Sequence, residues 1–319
     1  IDTSITISFQ PGASVQNSFS SGGSAENRQA FLTFGDKSWG SVKVGKDLGI
    51  FGSTAILNDM TLLGVGSQGV VGTSGGQTTT LGRIGTGYIY ADWNGQIAYT
   101  TPNMNGLQLT VGITNPWNAS SGAGTTVAAN TGGSNTSSGD TDEFAFEGQA
   151  SFSWTGDFAG KVWGGFFSQE VTGINNGAGG TTSDRANAFE AGVSTSIYNV
   201  NLVAYGYTGE SMGTTDRLFQ AFDSTGSGRD SDGGYAQATY VIPTGTKLGV
   251  SYGISNLDAN GVDANTSLVE ENEMTTIGAY HPLTKHLNLV AEYSMVESKA
   301  HNGNSNESDI IAVGAILFF

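Results

Sequence analysis

The chain contains no cysteine, which leaves neither a disulfide framework nor a thiolate metal site. Histidine is nearly as scarce: His281, His286 and His301 are the only three, and none stands at metal-ligand spacing. His281 and His286 flank a turn and read as solvated turn residues. Positive charge is thin as well. The 12 Lys and Arg face 28 Asp and Glu, a formal net charge of −16, which argues against binding a phosphate backbone and against a nucleic-acid partner. No apolar run reaches the roughly 18 residues that a membrane-crossing helix needs. A nucleophile elbow and an HExxH motif are both missing. Gly82 to Gly87 is glycine-rich but lies in no strand-to-helix setting, so it does not read as a phosphate loop. Asp258 to Asn265 looks like a calcium loop without the bidentate Glu at the twelfth position. The expectation is therefore no metal, no cofactor and no enzyme.

What is present is glycine, 49 residues of 319, and a repeating alternation of apolar and polar side chains. Leu107, Leu109, Val111 and Ile113 point one way, and Gln108, Thr110, Gly112 and Thr114 the other. Phe144, Phe146, Ala150, Phe152 and Trp154 repeat the pattern, as do Leu248, Val250, Tyr252 and Ile254. A helix would need apolar spacing of three and four, so period two means strands. The pattern predicts fourteen: 4–19, 27–35, 40–46, 95–102, 107–114, 143–155, 158–171, 186–198, 200–209, 233–243, 246–257, 272–281, 286–296 and 309–319. Short turns alternate with long Gly/Ser/Thr/Asn/Asp loops at 20–26, 47–94, 115–142, 172–185, 210–232, 258–271 and 297–308.

That asymmetry predicts an all-β fold of one particular kind. It is a transmembrane antiparallel β-barrel, a single domain over 1–319, with all turns at one rim and all long loops at the other. A soluble sandwich would expose polar residues on the face that is here Phe, Leu, Val, Ile, Tyr and Trp. Aromatics near strand ends (Trp39, Trp93, Trp117, Trp154, Tyr198, Tyr240, Tyr280 and Phe319) fit interfacial girdles. The last eleven residues, Asp309 to Phe319, are apolar to the end and read as a closing strand that pairs with the first strand. Ile311, Val313, Ala315, Leu317 and Phe319 form its expected lipid face. Its other face is hardly more polar and should lie under an internal element. The chain opens at Ile1 without Met and reads as processed or truncated.

The 47–94 connector is too long to be structureless in a compact fold. Leu48, Ile50, Phe51, Ile56, Leu57, Met60, Leu62, Leu63 and Val65 would not sit in water, so the segment is expected to fold into the lumen and narrow it.

Asn27 to Leu32, followed by Gly40 to Gly49, resembles the paired strands before the constriction loop of Gram-negative general porins. Leu57 to Gly66 is similar to that loop's acidic tip, and Tyr99 to Thr114 to the next hairpin. The resemblance implies an outer-membrane homotrimer, in contact with lipid and lipopolysaccharide, through which small hydrophilic solutes and ions diffuse passively. It also implies a pore constriction of acidic loop residues facing basic wall residues. Asp47 and Asp59, with Asp92, form the acidic side; Arg28, Lys43, Lys46 and Arg83, with Lys161, form the basic side. Arg28 and Lys46 match the family's motif positions. Two departures stand out. Sixteen-stranded members have two more strands before this loop, so fourteen becomes sixteen if an N-terminal hairpin is missing. Thr61 to Gly64 stands where many relatives place Pro and Glu, which thins the acidic side.

The net charge favours cations at long range, yet mouth charges are screened beyond about 8 Å at physiological salt. A local basic cluster would favour anions. If Lys46 lines the constriction, Lys46→Glu moves the reversal potential toward cations. The alternative function is a substrate-specific channel for sugars or carboxylates, marked by an aromatic slide or a basic ladder on inward faces. A barrel enzyme or adhesin would need a catalytic set or large binding loops.

Overall fold

The computed structural model describes residues 1–11, 25–65, 81–119, 143–263 and 266–319. Its strands are β1 (Asp2–Pro11), β2 (Ala25–Asp36), β3 (Gly40–Leu48), β4 (Trp93–Thr100), β5 (Leu107–Thr114), β6 (Ala145–Trp154) and β7 (Phe158–Asn175). There follow β8 (Thr181–Ile197), β9 (Val200–Glu210), β10 (Asp230–Val241), β11 (Lys247–Leu257), β12 (Val269–Pro282), β13 (Leu287–Ala300) and β14 (Ser305–Leu317). They form one 14-stranded sheet whose order is the order of the sequence, and the ladders are antiparallel. Fourteen strands were expected. The part of the first expected strand over 12–19 lies outside the described residues.

One face of the sheet is apolar and exposed, with Ile5 at 72%, Phe9 at 71%, Ile311 at 78% and Val313 at 76% accessible. The opposite face carries buried polar groups: Glu147 at 1%, Glu190 at 4% and Ser294 at 0%. That is the reverse of a soluble sheet and the arrangement lipid demands. Buried segments on the polar side show how the sheet bends. Ile50 lies against Gly112 of β5, Met60 against Gly249 of β11, and Val65 against Gly314 of β14. Residues 50–65, shortened by the helix Ser53–Asn58 and the 3-10 turn Met60–Leu63, span about 35 Å, less than the nine spacings of about 4.8 Å that separate β5 from β14 in a flat sheet. The sheet is wrapped around them.

Several expectations need correcting. β14 ladders with β13 from Leu287↔Leu317 to Lys299↔Ser305, and β1 ladders with β2, but among the described residues no ladder joins β14 to β1. Alternation identifies a strand and its faces but carries no mark of which edge it meets. The loops expected over 172–185 and 297–308 are mostly strand. β7 and β8 leave only 176–180 between them, and β13 and β14 only 301–304. Backbone pairing continues beyond the apolar band, where both faces turn polar and the period-two signal fades. Trp117 and Tyr280 are buried at 8% and 7% and so belong to no girdle, whereas Trp39, Tyr198 and Tyr240 are exposed.

Candidate functional site

After β3 the chain turns inward. Gly52 takes the left-handed conformation (φ 79°) that starts a short helix, α1 (Ser53–Asn58), and a single 3-10 turn (Met60–Leu63) follows. Asp59 links the two. Its Oδ1 accepts from the Thr61 N–H at 2.9 Å and the Thr61 hydroxyl at 2.7 Å, which caps the second turn. The barrel wall holds this segment by its backbone. The N–H of Phe51 donates to Glu147 Oε2 (2.7 Å), that of Gly52 to Glu190 Oε2 (2.9 Å) and that of Met60 to Gln237 Oε1 (2.9 Å). Tyr235 donates to the Ala55 carbonyl and Gln237 to that of Asn58, both at 2.7 Å. Buried backbone groups need such partners, and strand side chains provide them.

The returning limb, residues 81–92, is pinned by Arg83. Its guanidinium donates to the Ser251 hydroxyl (2.5 Å), the Ser251 carbonyl (2.6 Å) and the Met274 carbonyl (2.7 Å). Its backbone N–H reaches Asp59 Oδ2 at 2.8 Å, and the Tyr88 hydroxyl donates to the same oxygen at 2.9 Å. Burial, then the Asp59 charge, push the Tyr88 phenol well above its ordinary range, so it stays a donor.

The sequence-predicted site residues do not gather at one point. Asp59 and Arg83 do meet, but both are buried, and they join the two limbs of the loop instead of facing each other across open water. Lys43 and Asp47 share the inner face of β3 as an ion pair, with Lys43 over the Phe31 ring at 4.9 Å and Gln29 donating to Asp47 at 2.9 Å. Lys46 is on the other face. It ladders with Ala30 and Gly95 and shares the exposed side with Val44, because alternation puts 43, 45 and 47 inward. Arg28 sits in β2 where the register against β1 shifts between Ser8 and Gln10. Asp92 has a left-handed backbone (φ 51°) and accepts from the Trp93 N–H at 2.7 Å. Lys161 is inward on β7, in step with buried Trp163 and Phe167.

Residues 5–301 match the Gram-negative porin family. The chain belongs to that family. A porin fold is also what solved structures share with it. The outer membrane channel DcaP of Acinetobacter baumannii is 16% identical, with a TM-score of 0.67 over 99% of this chain and 80% of that one. An anion-selective porin from Comamonas acidovorans is 13% identical, with a TM-score of 0.54 over 90% and 74%. OmpF of Salmonella typhi, solved with daunomycin, is 15% identical, with a TM-score of 0.55 over 92% and 79%. No curated protein sequence matches. The protein is an outer-membrane channel of Gram-negative bacteria.

Within this porin, sequence reasoning missed the wall carboxylates and a second buried loop. Glu147, Glu190 and Glu292 project inward from β6, β8 and β13, and Glu292 accepts from Tyr280 at 2.5 Å beneath Gly64 of the loop. A carboxylate on the inner face of a spanning strand is itself a functional signal. Residues 211–229, expected as a polar loop, bury Met212, Leu218, Ala221, Phe222, Arg217 and Arg229. The apolar content that marked 48–65 for the lumen is present here too.

Proposed function

We propose that this porin is a general diffusion channel for small hydrophilic solutes and ions, working as a homotrimer, with 47–94 as its constriction loop. The observation that carries the reading is the character of the inner wall left beside the loop. Ser4, Thr6, Ser8 and Gln10 of β1 alternate with outward Ile5, Ile7 and Phe9, and Thr33, Thr100, Gln108 and Thr110 share that inner face through the β1–β5 ladders. Hydroxyls and amides exchange hydrogen bonds with water and with polar solutes without selecting one of them. The aromatic row that a sugar-specific channel would present on its wall, Trp163, Tyr205 and Tyr235, lies under the loop at 3–6% exposure, with the loop's own Tyr88 against Tyr235.

The site charges follow from the same geometry. Asp59 and Arg83 serve the loop's own fold, so a transverse field rests on the Lys43–Asp47 pair and on Lys161. In a low-dielectric constriction each such charge acts strongly on a passing ion. Reconstitution into planar bilayers tests the reading. A diffusion porin opens in three equal steps and shows no saturable block by any one sugar or carboxylate. Concentration-dependent block by a single solute class would replace it with the substrate-specific alternative.

A further inference from the structure

We propose that residues 211–229 form a second inward loop, and that Arg217 at its inner end is the positioning residue that holds the constriction loop against the wall. The bore is then set by two loops. This rests on the reading of 47–94 as the constriction loop.

Arg217 lies at 3% exposure at the centre of the packing. Its two terminal nitrogens meet both oxygens of Glu147, at 2.9 and 3.1 Å, and one of them also donates to the Phe51 carbonyl at 2.7 Å. The Phe51 N–H donates to Glu147 as well. A single ion pair thus grips the N–H and the C=O of one residue, at the point where the constriction loop enters the lumen. Trp117 lies under the guanidinium at 4.0 Å and Phe167 at 5.2 Å, which fixes its plane. Lys could not reproduce this fork.

The loop is built to deliver that side chain. Ser211, Thr215, Leu218 and Gln220 all have positive φ, between 55° and 70°, although none is glycine. Such strain persists only where the surroundings over-determine the conformation. Here the Thr215 carbonyl accepts from the Tyr90 N–H on the constriction loop's returning limb (2.9 Å), and Leu218 is fully buried. At the loop's root, Arg229 pairs with Asp263 at 2.7 and 3.0 Å and donates to the Gln220 and Phe222 carbonyls, both at 2.7 Å. Gly49 of the entering limb has Arg217 so close that a Cβ there would meet its Nη2 at 2.7 Å. The second loop therefore touches both limbs of the first.

The test is single-channel recording on the trimer with Arg217→Met combined with Glu147→Gln, which removes both charges and strands neither. The proposal expects larger conductance steps, noisier open current and a higher size limit for sugars in liposome swelling. Arg217→Lys with Glu147 intact should fall between wild type and the double variant. Adding Tyr90→Cys with Thr215→Cys to the double variant, and oxidising, should return conductance to wild type, since this tether replaces the ion pair. A folded double variant with wild-type conductance and size limit overturns the proposal, as does a tether that changes nothing. If wild type itself forms no three-step diffusion channel, it is the functional reading that fails, which keeps the two apart.

Discussion

Lys46 and Lys161 differ in the parity of their strand positions, and that parity decides what each can do. Lys46 shares the outer side with Val44, whereas Lys161 faces the lumen between Ser153 and Ser194. No ion pair to Lys161 forms among the described residues. Lys161→Glu should therefore move the zero-current potential in a salt gradient toward cation preference, and Lys46→Glu should leave it in place. The opposite ranking would return Lys46 to the constriction. Arg217 allows a stability prediction as well. Arg217→Met alone leaves Glu147 buried without its partner, at a cost of about 3–5 kcal/mol. The Arg217→Met, Glu147→Gln pair should recover most of that loss in a urea unfolding series, because no buried charge is left uncompensated.

At the scale of elements, the two inward loops carry a pH response. Asp216 retains some contact with solvent, yet desolvation by burial between the loops and then the Asp92 carboxylate push its carboxyl from 3.8 up to about 7, against the smaller opposite pull of Arg217. The docked loop thus holds a proton that an undocked loop releases near pH 4. Docking is strongest at acid pH, weakens as pH rises, and has lost this contribution above about pH 7. Open-channel conductance should fall as pH is lowered from about 8 to about 5, and Asp216→Asn should flatten that profile. The strands were legible in the sequence because lipid on one side and polar groups on the other write a period of two. The inward course of 48–65 was legible from its apolar run, and Val65 over Gly314 gives the last strand's second face the cover it called for. What stayed hidden depends on contacts between distant segments. Asp59 and Arg83 look like pore charges until Tyr88, Ser251 and Met274 are seen to occupy them. The burial of 211–229 shows only once Glu147 is placed opposite Arg217.

For the whole molecule, the net charge of −16 contrasts with an inner wall on which Lys43, Lys161 and Lys247 stand among hydroxyls, amides and buried carboxylates. Charges gathered outside the bore act at long range and fade with salt, over about 30 Å at 0.01 M and about 3 Å at 1 M. Cation preference should therefore be high in dilute KCl and shrink as both baths are concentrated at a fixed ratio. A preference that does not depend on salt would place the deciding charges inside the constriction.

Each ladder in the sheet joins strands that are neighbours in the sequence. The sheet can thus grow hairpin by hairpin, while the inward loops make the contacts between distant parts of the chain. Chain-closure entropy rises only by about 0.6 kcal/mol per doubling of the loop, so even a seam between β1 and β14 carries a modest thermodynamic penalty. Its penalty is kinetic. Until that seam is covered, two edges carry unpaired amides that lipid cannot solvate. Whatever shields those edges while the interior loops find their places is therefore expected to govern how fast this sheet assembles.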